Sequence, residues 1–263
     1  MSKRLSIKEI DALLRQGDAS IDETFLAMLK ADERKGVQSA LKRYERQLEK
    51  EKALWMEHEE MLAYEKDLWA KGYEHVAGLD EVGRGPLAGP VVTAAVILPK
   101  DVQLPGLTDS KKLAKETRES FYDRIKEVAL AWSVAIVPVT VIDEVNIYQA
   151  TKQGMMSAIN QLSVNPDALL LDAMNLPLSL PQQSLIKGDQ KSLSIAASSV
   201  LAKVTRDRYM ADLSNRYPEY GFERHVGYGT EEHLAALNAH GITPEHRRSF
   251  RPVQETAATR QTS

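Results

Sequence analysis

Val76-Ala77-Gly78-Leu79-Asp80-Glu81-Val82-Gly83-Arg84-Gly85-Pro86 carries a short apolar run into two adjacent carboxylates, then into a loop with one guanidinium between two glycines. Adjacent acids repel, and a fold sets them side by side mainly where a cation or a proton compensates. Gly83 and Gly85 permit backbone conformations closed to other residues and a close approach to a ligand, while Arg84 can fork toward phosphate oxygens. The stretch reads as a buried strand whose end suits a polyanion. Taken alone, an Asp-Glu pair also suits a solvated surface and the glycines a simple turn. A dinucleotide-binding fingerprint is excluded: Gly83-x-Gly85-x-x-x-Gly89 has the wrong final spacing, and Pro86 and Pro90 interrupt the helix such a loop must open.

Two further apolar runs end in acids, Ala168-Leu169-Leu170-Leu171-Asp172 and Leu185-Ile186-Lys187-Gly188-Asp189. In α/β sheets such runs read as buried strands whose ends gather at one rim, so three strand ends can converge the four carboxylates of Asp80, Glu81, Asp172 and Asp189. Singly, Asp172 also suits a turn before Asn175 and Pro177, and Asp189 a helix cap. Four carboxylates beside a phosphodiester call for Mg²⁺ or a similar oxygen-seeking ion. One difficulty is geometric: neighbouring side chains of a regular strand face opposite sides, so the strand must end or bulge at Asp80-Glu81, or one residue must offer its backbone carbonyl.

Outward from these runs, Val91 to Leu98 and Trp132 to Val137 read as strands, giving five in all. Lys115 to Ala129, Val141 to Leu162 and Ser192 to Tyr217 carry helical periodicity. The expected fold is an α/β layer structure with a mixed five-stranded sheet flanked by helices. Before it, Ser6 to Leu14 and Ile21 to Leu29 read as short helices, and a longer one begins after Asp32 or Gly36. In that helix Leu41, Leu48, Trp55, Leu62 and Trp69 recur every seven residues, but Glu51, His58 and Glu65 fill the complementary positions, which argues against a two-stranded coiled coil. The chain thus divides into an N-terminal helical extension, 1–72, and a main domain, 73–263, with a loose polar tail after about 253.

The motifs resemble those of bacterial ribonuclease HII, of the type 2 ribonuclease H family. The resemblance rests on Ala77 to Val91, Thr108-Asp109-Ser110-Lys111-Lys112-Leu113, Lys187-Gly188-Asp189, Ser194 to Val204, His225-Val226-Gly227-Tyr228-Gly229-Thr230 and His246-Arg247-Arg248-Ser249-Phe250. It spans roughly Tyr73 to Val253 and leaves the first seventy residues outside. It implies a ribonuclease H-like fold. The implied activity is metal-dependent hydrolysis, with Mg²⁺ or Mn²⁺, of the RNA strand in RNA–DNA hybrids, and nicking of DNA duplexes on the 5′ side of embedded ribonucleotides. That reaction leaves 5′-phosphate and 3′-hydroxyl ends and serves ribonucleotide removal. Matched motif by motif, Asp80, Glu81, Asp172 and Asp189 are its catalytic and metal-binding acids. Gly83-Arg84-Gly85 would read the 2′-hydroxyl largely through backbone groups, and Tyr228 would pack on the neighbouring sugar.

Lys111, Lys112, Lys187 and Arg206 are candidates for phosphate contacts. His225, His233 and His246 fit no common zinc spacing and have no cysteine to supplement them, and His225 beside Tyr228 and His246 beside Arg247 are expected to contact backbone or phosphate. Arg84 and Pro86 favour the HII type over ribonuclease HIII, which generally lacks the Gly-Arg-Gly pattern. A non-catalytic hybrid-binding module is disfavoured, because unneutralised carboxylates beside phosphate weaken simple binding.

Composition agrees with these expectations. The length of 263 residues suits one sizeable domain with an appendage, and the absence of cysteine fits a reducing cytosol. Met1-Ser2-Lys3-Arg4 is followed by mixed polar and apolar residues, no run approaches the ~20 apolar residues of a membrane helix, and a cytoplasmic monomer is expected. A net charge of −3 is not that of a protein bound to nucleic acid by bulk charge, so binding must rest on a local basic groove and on metal ions.

Overall fold

Strand β1 (Val76–Val82) is the centre of the sheet in the computed structural model, which describes residues 5–16 and 21–261. It pairs antiparallel with β2 (Val91–Ile97) and parallel with β4 (Ala168–Asp172). Outside these, β3 (Ala131–Val137) pairs antiparallel with β2 and β5 (Gln182–Leu185) parallel with β4, giving the order β3-β2-β1-β4-β5. The mixed five-stranded sheet expected from the sequence is present. Every residue of β2 is buried, as a central strand covered on both faces requires.

Three helices fill two connections between strands: α5 (Lys115–Val128) joins β2 to β3, and α6 (Val139–Val145) and α7 (Ile147–Asn160) join β3 to β4. The single helix expected over Val141 to Leu162 is divided at Asn146. That residue sits at φ 70°, and its side chain accepts from the Tyr148 and Gln149 N–H groups to start α7. After the sheet comes α8 (Leu193–Arg216), then α9 (Phe222–His225), α10 (Glu231–His240) and α11 (Arg251–Gln261). The loose tail expected after Val253 is instead this last helix: Val253 is fully buried and Arg251 pairs with Glu255 one turn on. The tail's polarity reflects an exposed helix face, not an absence of structure.

The Ala/Ser-rich start of α8 lies directly on β1. Gly78 has no side chain because a Cβ there would collide with the backbone of Ser194 and Ile195, and the Ser198 hydroxyl donates to the Gly78 carbonyl at 2.6 Å. This contact fixes the height of the strand just before Asp80. Around it, Val92, Ala94, Val96, Ala197, Val200 and Leu201 form one apolar cluster on this side, while Leu79, Ala95, Met155 and Leu171 belong to the cluster opposite.

The described chain separates into two compact units, 1–57 and 58–263. In the first, α1 (Ile7–Gln16) opens with a reciprocal Ser6–Glu9 capping box, and α2 (Glu23–Lys30) is capped by Asp22, whose side chain accepts the Phe25 N–H at 2.7 Å. Ile10, Leu14, Leu29, Val37, Ala40 and Leu41 form its core with the first turns of α3 (Lys35–Met61). The seven-residue stripe is not one continuous face: Trp55 is exposed, and the helix breaks at Leu62 before α4 (Ala63–Ala70). Met61 and Leu62 pack with Val96 and Leu201, and Leu68 with Val76, Leu170 and Ile195, so the end of α3 and all of α4 are built into the second unit's core. Among the described residues no helix is long and apolar enough to cross a membrane.

Candidate active site

Two of the three acid-bearing segments are strand ends, and the third is not. Asp80 and Glu81 lie near the end of β1 and Asp172 closes β4, the neighbouring parallel strand. Strand β5 stops at Leu185, and Asp189 sits in a single 3-10 turn, Gly188–Gln190. Lys187 reverses the chain there with φ 56°, a conformation unusual outside glycine, and the Gly188 N–H donates to Asp172 Oδ1 at 2.7 Å. The turn thereby ties the third segment to the second.

The Asp80-Glu81 pair needs neither a strand end nor a bulge. Pairing continues regularly through Asp80↔Ala94, Glu81↔Thr93 and Val82↔Val92, and Asp80 turns back to accept the Glu81 N–H at 2.7 Å. Both carboxyl groups are deeply placed. Asp80 is held well above the ordinary carboxylate range, first by burial and then by the charges of Glu81 and Asp172. Burial also raises Glu81, against the pull of the nearby Arg84 guanidinium, with Asp172 adding to the rise. Asp189 is pushed up to about 6 by burial and by the charges of Asp109 and Asp172. These four acids therefore share one electrostatic neighbourhood.

A divalent ion fits this donor set on two grounds. All the candidate ligands are oxygens, and Glu81 Oε2 is buried with no hydrogen-bond partner, a costly arrangement unless something positive meets it. Among the described residues no three His, Asp or Glu side chains are placed to cage an ion by themselves. An ion held here would keep water or substrate oxygens, which is the habit of Mg²⁺ and leaves room for a phosphate.

Beside the acids, the Gly83–Gly89 loop is held from beneath by two buried guanidiniums. Arg247 donates to the carbonyls of Gly83 (2.5 Å), Arg84 (2.9 Å) and Gly89 (2.8 Å), and Arg206 to those of Ala88 (3.1 Å), Pro90 (3.0 Å) and Val226 (2.9 Å). Both are entirely buried, and burial brings Arg206 down to about 10 and Arg247 to about 9. Arg206 is therefore a loop anchor and not the phosphate contact its charge suggested. Gly83, at φ 92°, is required twice over, since a Cβ there would also strike the Arg206 side chain. Arg84 itself is partly exposed and reaches Glu81 at 3.3 Å.

Tyr228 faces the same loop. It is 44% exposed, and a Cβ built on Gly85 would lie 3.5 Å from its ring. Its backbone is fixed by a chain of histidines. His233 Nδ1 lies 2.9 Å from the Tyr228 carbonyl, which can only accept, so Nδ1 carries the proton and Nε2 is bare. His246 Nε2–H then donates to it at 3.0 Å, leaving His246 Nδ1 to accept the Thr243 N–H at 2.9 Å. Both rings are neutral: burial lowers His233, and burial with the neighbouring His233 brings His246 down to about 3. His225 bonds the Tyr220 carbonyl at 2.8 Å. His225 and His246 thus contact backbone, as expected, and His233 links His246 to the Tyr228 carbonyl.

Of the candidate lysines, Lys111 is close enough for its charge to act on Glu81 and Asp189, while Lys112 and Lys187 stand exposed on the loops flanking the acids. The sequence reading passed over Asp109, which sits 7% exposed against Asp189, takes a 3.2 Å bond from Gln190 and caps its own loop at the Lys111 N–H. It also passed over Ser199, which bonds Asp80 and meets Ser110 at 2.9 Å. Both lie inside quoted motifs; what hid them was that Asp-Ser and Ser-Ser pairs are common turn and helix-start residues.

The sheet order and its flanking helices are those of the ribonuclease H-like fold. The sequence profile described as Ribonuclease HII matches residues 77–253, and that described as Ribonuclease HII N-terminal domain matches residues 6–69. A curated ribonuclease HII of Halalkalibacterium halodurans is 99% identical over 263 residues, all of both chains, and one of Geobacillus thermodenitrificans is 56% identical over 253 residues, 96% of this chain and 97% of that one. The crystal structure of the ribonuclease H2 from Pyrococcus horikoshii OT3 shares the fold, with a TM-score of 0.63 at 24% identity over 72% of this chain and 99% of that one. The chain belongs to the ribonuclease HII family.

Proposed function

We propose that this ribonuclease H-type endonuclease is divalent-metal dependent, cutting the RNA strand of RNA–DNA hybrids and nicking duplex DNA on the 5′ side of embedded ribonucleotides. The observation that carries the reading is the buried, unpartnered Glu81 oxygen among carboxyls of raised pKa, set beside a loop whose carbonyls are turned inward onto Arg206 and Arg247. Asp80, Glu81, Asp172 and Asp189 would hold Mg²⁺ or Mn²⁺. When bound, the ions supply positive charge to the scissile phosphate and the leaving 3′ oxygen and acidify water at neutral pH.

The chain's own groups account for substrate choice. Only a 2′-hydroxyl distinguishes the ribonucleotide, and it can both donate and accept. With the carbonyls of Gly83 and Arg84 engaged from below, the Gly83-Arg84-Gly85 backbone is held rigid where that hydroxyl would lie, and the exposed Tyr228 ring supports the adjoining sugar. Arg84 and Lys111 would meet the flanking phosphates. Hydrolysis in this arrangement leaves 5′-phosphate and 3′-hydroxyl ends, the form suited to repair of the nick in the cytoplasm. The N-terminal unit adds a charged helical surface for duplex phosphates, and the enzyme acts as a monomer.

The test is cleavage of a DNA duplex containing one ribonucleotide, with Mg²⁺, with Mn²⁺ and with chelator. Metal-dependent cutting at the 5′ side of the ribonucleotide is expected. Undiminished cutting in chelator, or cutting only of long hybrids, would overturn the metal or the substrate assignment respectively.

A further inference from the structure

Glu65 lies on α4, within the stretch matched by the N-terminal domain profile, and the reaction described above gives it no part. It is 1% exposed. Its Oε1 accepts three hydrogen bonds, from Ser192 Oγ (2.6 Å), the Ser194 N–H (2.9 Å) and Ser194 Oγ (2.6 Å), while Oε2 is buried without a partner. Burying a carboxylate is costly, and a helix start is one of the few places that offsets the cost, with free N–H groups and the positive end of the dipole. Ser192 already caps α8 through its own hydroxyl, accepting the Ile195 N–H at 3.3 Å. The helix therefore has a cap without Glu65, and an apolar residue in its place would serve packing as well or better.

What Glu65 adds is a fixed position for the chain leading into α8. Ser192 N–H and Lys191 N–H both donate to the Gly188 carbonyl at 2.9 Å, and the Gly188 N–H reaches Asp172 Oδ1. A continuous path of hydrogen bonds thus runs from Glu65 through Ser192 and Gly188 to Asp172, one of the four proposed metal ligands, with another, Asp189, inside the turn that the path encloses. The turn is exposed at its outer edge, at Lys187 and Gln190; Asp109 holds Gln190 from one side, and the Glu65–Ser192 contact holds the chain that leaves the turn for α8.

We propose that Glu65 is a positioning residue for Asp189, through which the family's N-terminal domain reaches into the metal site of the nuclease. This rests on the metal reading of Asp189 given above.

The test is a double-mutant cycle on the full chain, reading Mn²⁺ affinity by calorimetry and stability by thermal unfolding. Glu65→Gln keeps volume and one acceptor oxygen and is expected to weaken Mn²⁺ binding about tenfold, the scale of lost support behind a metal ligand. In an Asp189→Asn background most of that loss should vanish. A Glu65→Gln protein that melts earlier yet binds Mn²⁺ like the parent would make the residue merely structural, and an undiminished loss beside Asp189→Asn would show that it acts elsewhere. Parent-like Mn²⁺ binding by Asp189→Asn alone would instead strike down the metal assignment on which the proposal stands. Should Glu65→Gln fail to fold, Ser192→Ala breaks the same path while leaving the carboxylate bonded to Ser194; a smaller loss in the same direction supports the proposal and no loss refutes it.

Discussion

Acid should remove the support beneath Tyr228 by an amount set by His246. Unfolded, this histidine titrates near 6.5; folded, it is held down to about 3 by burial and by His233. Between those values the unfolded chain binds the extra proton and the folded chain does not, so stability falls as pH falls, and the loss is complete only near pH 3. At pH ~4.5 the gap already spans about two units, or about 3 kcal/mol at ~1.4 kcal/mol per unit. With the residue 1% exposed, solvent screening takes little from that figure. The buried carboxyls run the other way: Asp80, Glu81 and Asp189 are raised, so acid relieves them. The measurement must therefore be a difference. Urea unfolding of the parent and of His246→Asn, at pH values from about 7.5 to 4.5, cancels the carboxyl contribution common to both. The parent's advantage over the variant should shrink by about 3 kcal/mol across that range. A difference that stays constant would mean that His246 is not held neutral, and the hydrogen-bond direction assigned to the His246–His233–Tyr228 chain would fall.

Other expectations follow from the same geometry. Asp80→Asn should abolish cleavage at saturating Mg²⁺ while raising the melting temperature of the metal-free protein, because it removes one of several repelling buried charges; near-parent turnover in the folded variant would remove Asp80 from the site. Tyr228→Ala should lose activity on a single embedded ribonucleotide with Mn²⁺ affinity retained, and equal activity of variant and parent on that substrate would refute the sugar-platform role. Truncation separates the two compact units: a chain starting at His58 should stay soluble with a raised Michaelis constant, whereas deletion through Ala70 should aggregate, since it strips Met61, Leu62 and Leu68 from the core. Light scattering and steady-state kinetics at matched salt distinguish these outcomes.

Much of the architecture is legible in the chain because buried strands announce themselves as apolar runs: Val91 to Ile97 and Ala168 to Asp172 are read nearly to the residue. Helix continuity is harder. Asn146 interrupts an otherwise helical pattern through a side-chain cap, and Leu62 ends α3 although its own apolar character extends the stripe. Buried polar residues are harder still. His58 and Glu65 look like the wet side of a heptad and are buried instead; for Glu65 the reason is far away in sequence, where Ser192 and Ser194 donate to its carboxyl oxygen. For the candidate site, motifs single out the four acids, the glycine loop and Tyr228 as candidates, and the fold brings the four acids into one electrostatic neighbourhood with the loop beside them. Asp109, Ser199, Arg206 and Arg247 take their places from contacts across some eighty to one hundred and sixty residues, which spacing along a chain does not encode.

The two guanidiniums under the Gly83–Gly89 loop also bear on redesign. A loop that depended on surface lysines for its affinity toward anions would lose that affinity whenever the isoelectric point was lowered for solubility. Here two cations lie inside the protein, bonded to main-chain oxygens and shielded from mobile ions. Surface charge can then be rewritten widely, in either direction, without altering the polarity of the loop's inner face, while a single neutral replacement at Arg206 or Arg247 leaves several carbonyls unpaired at once.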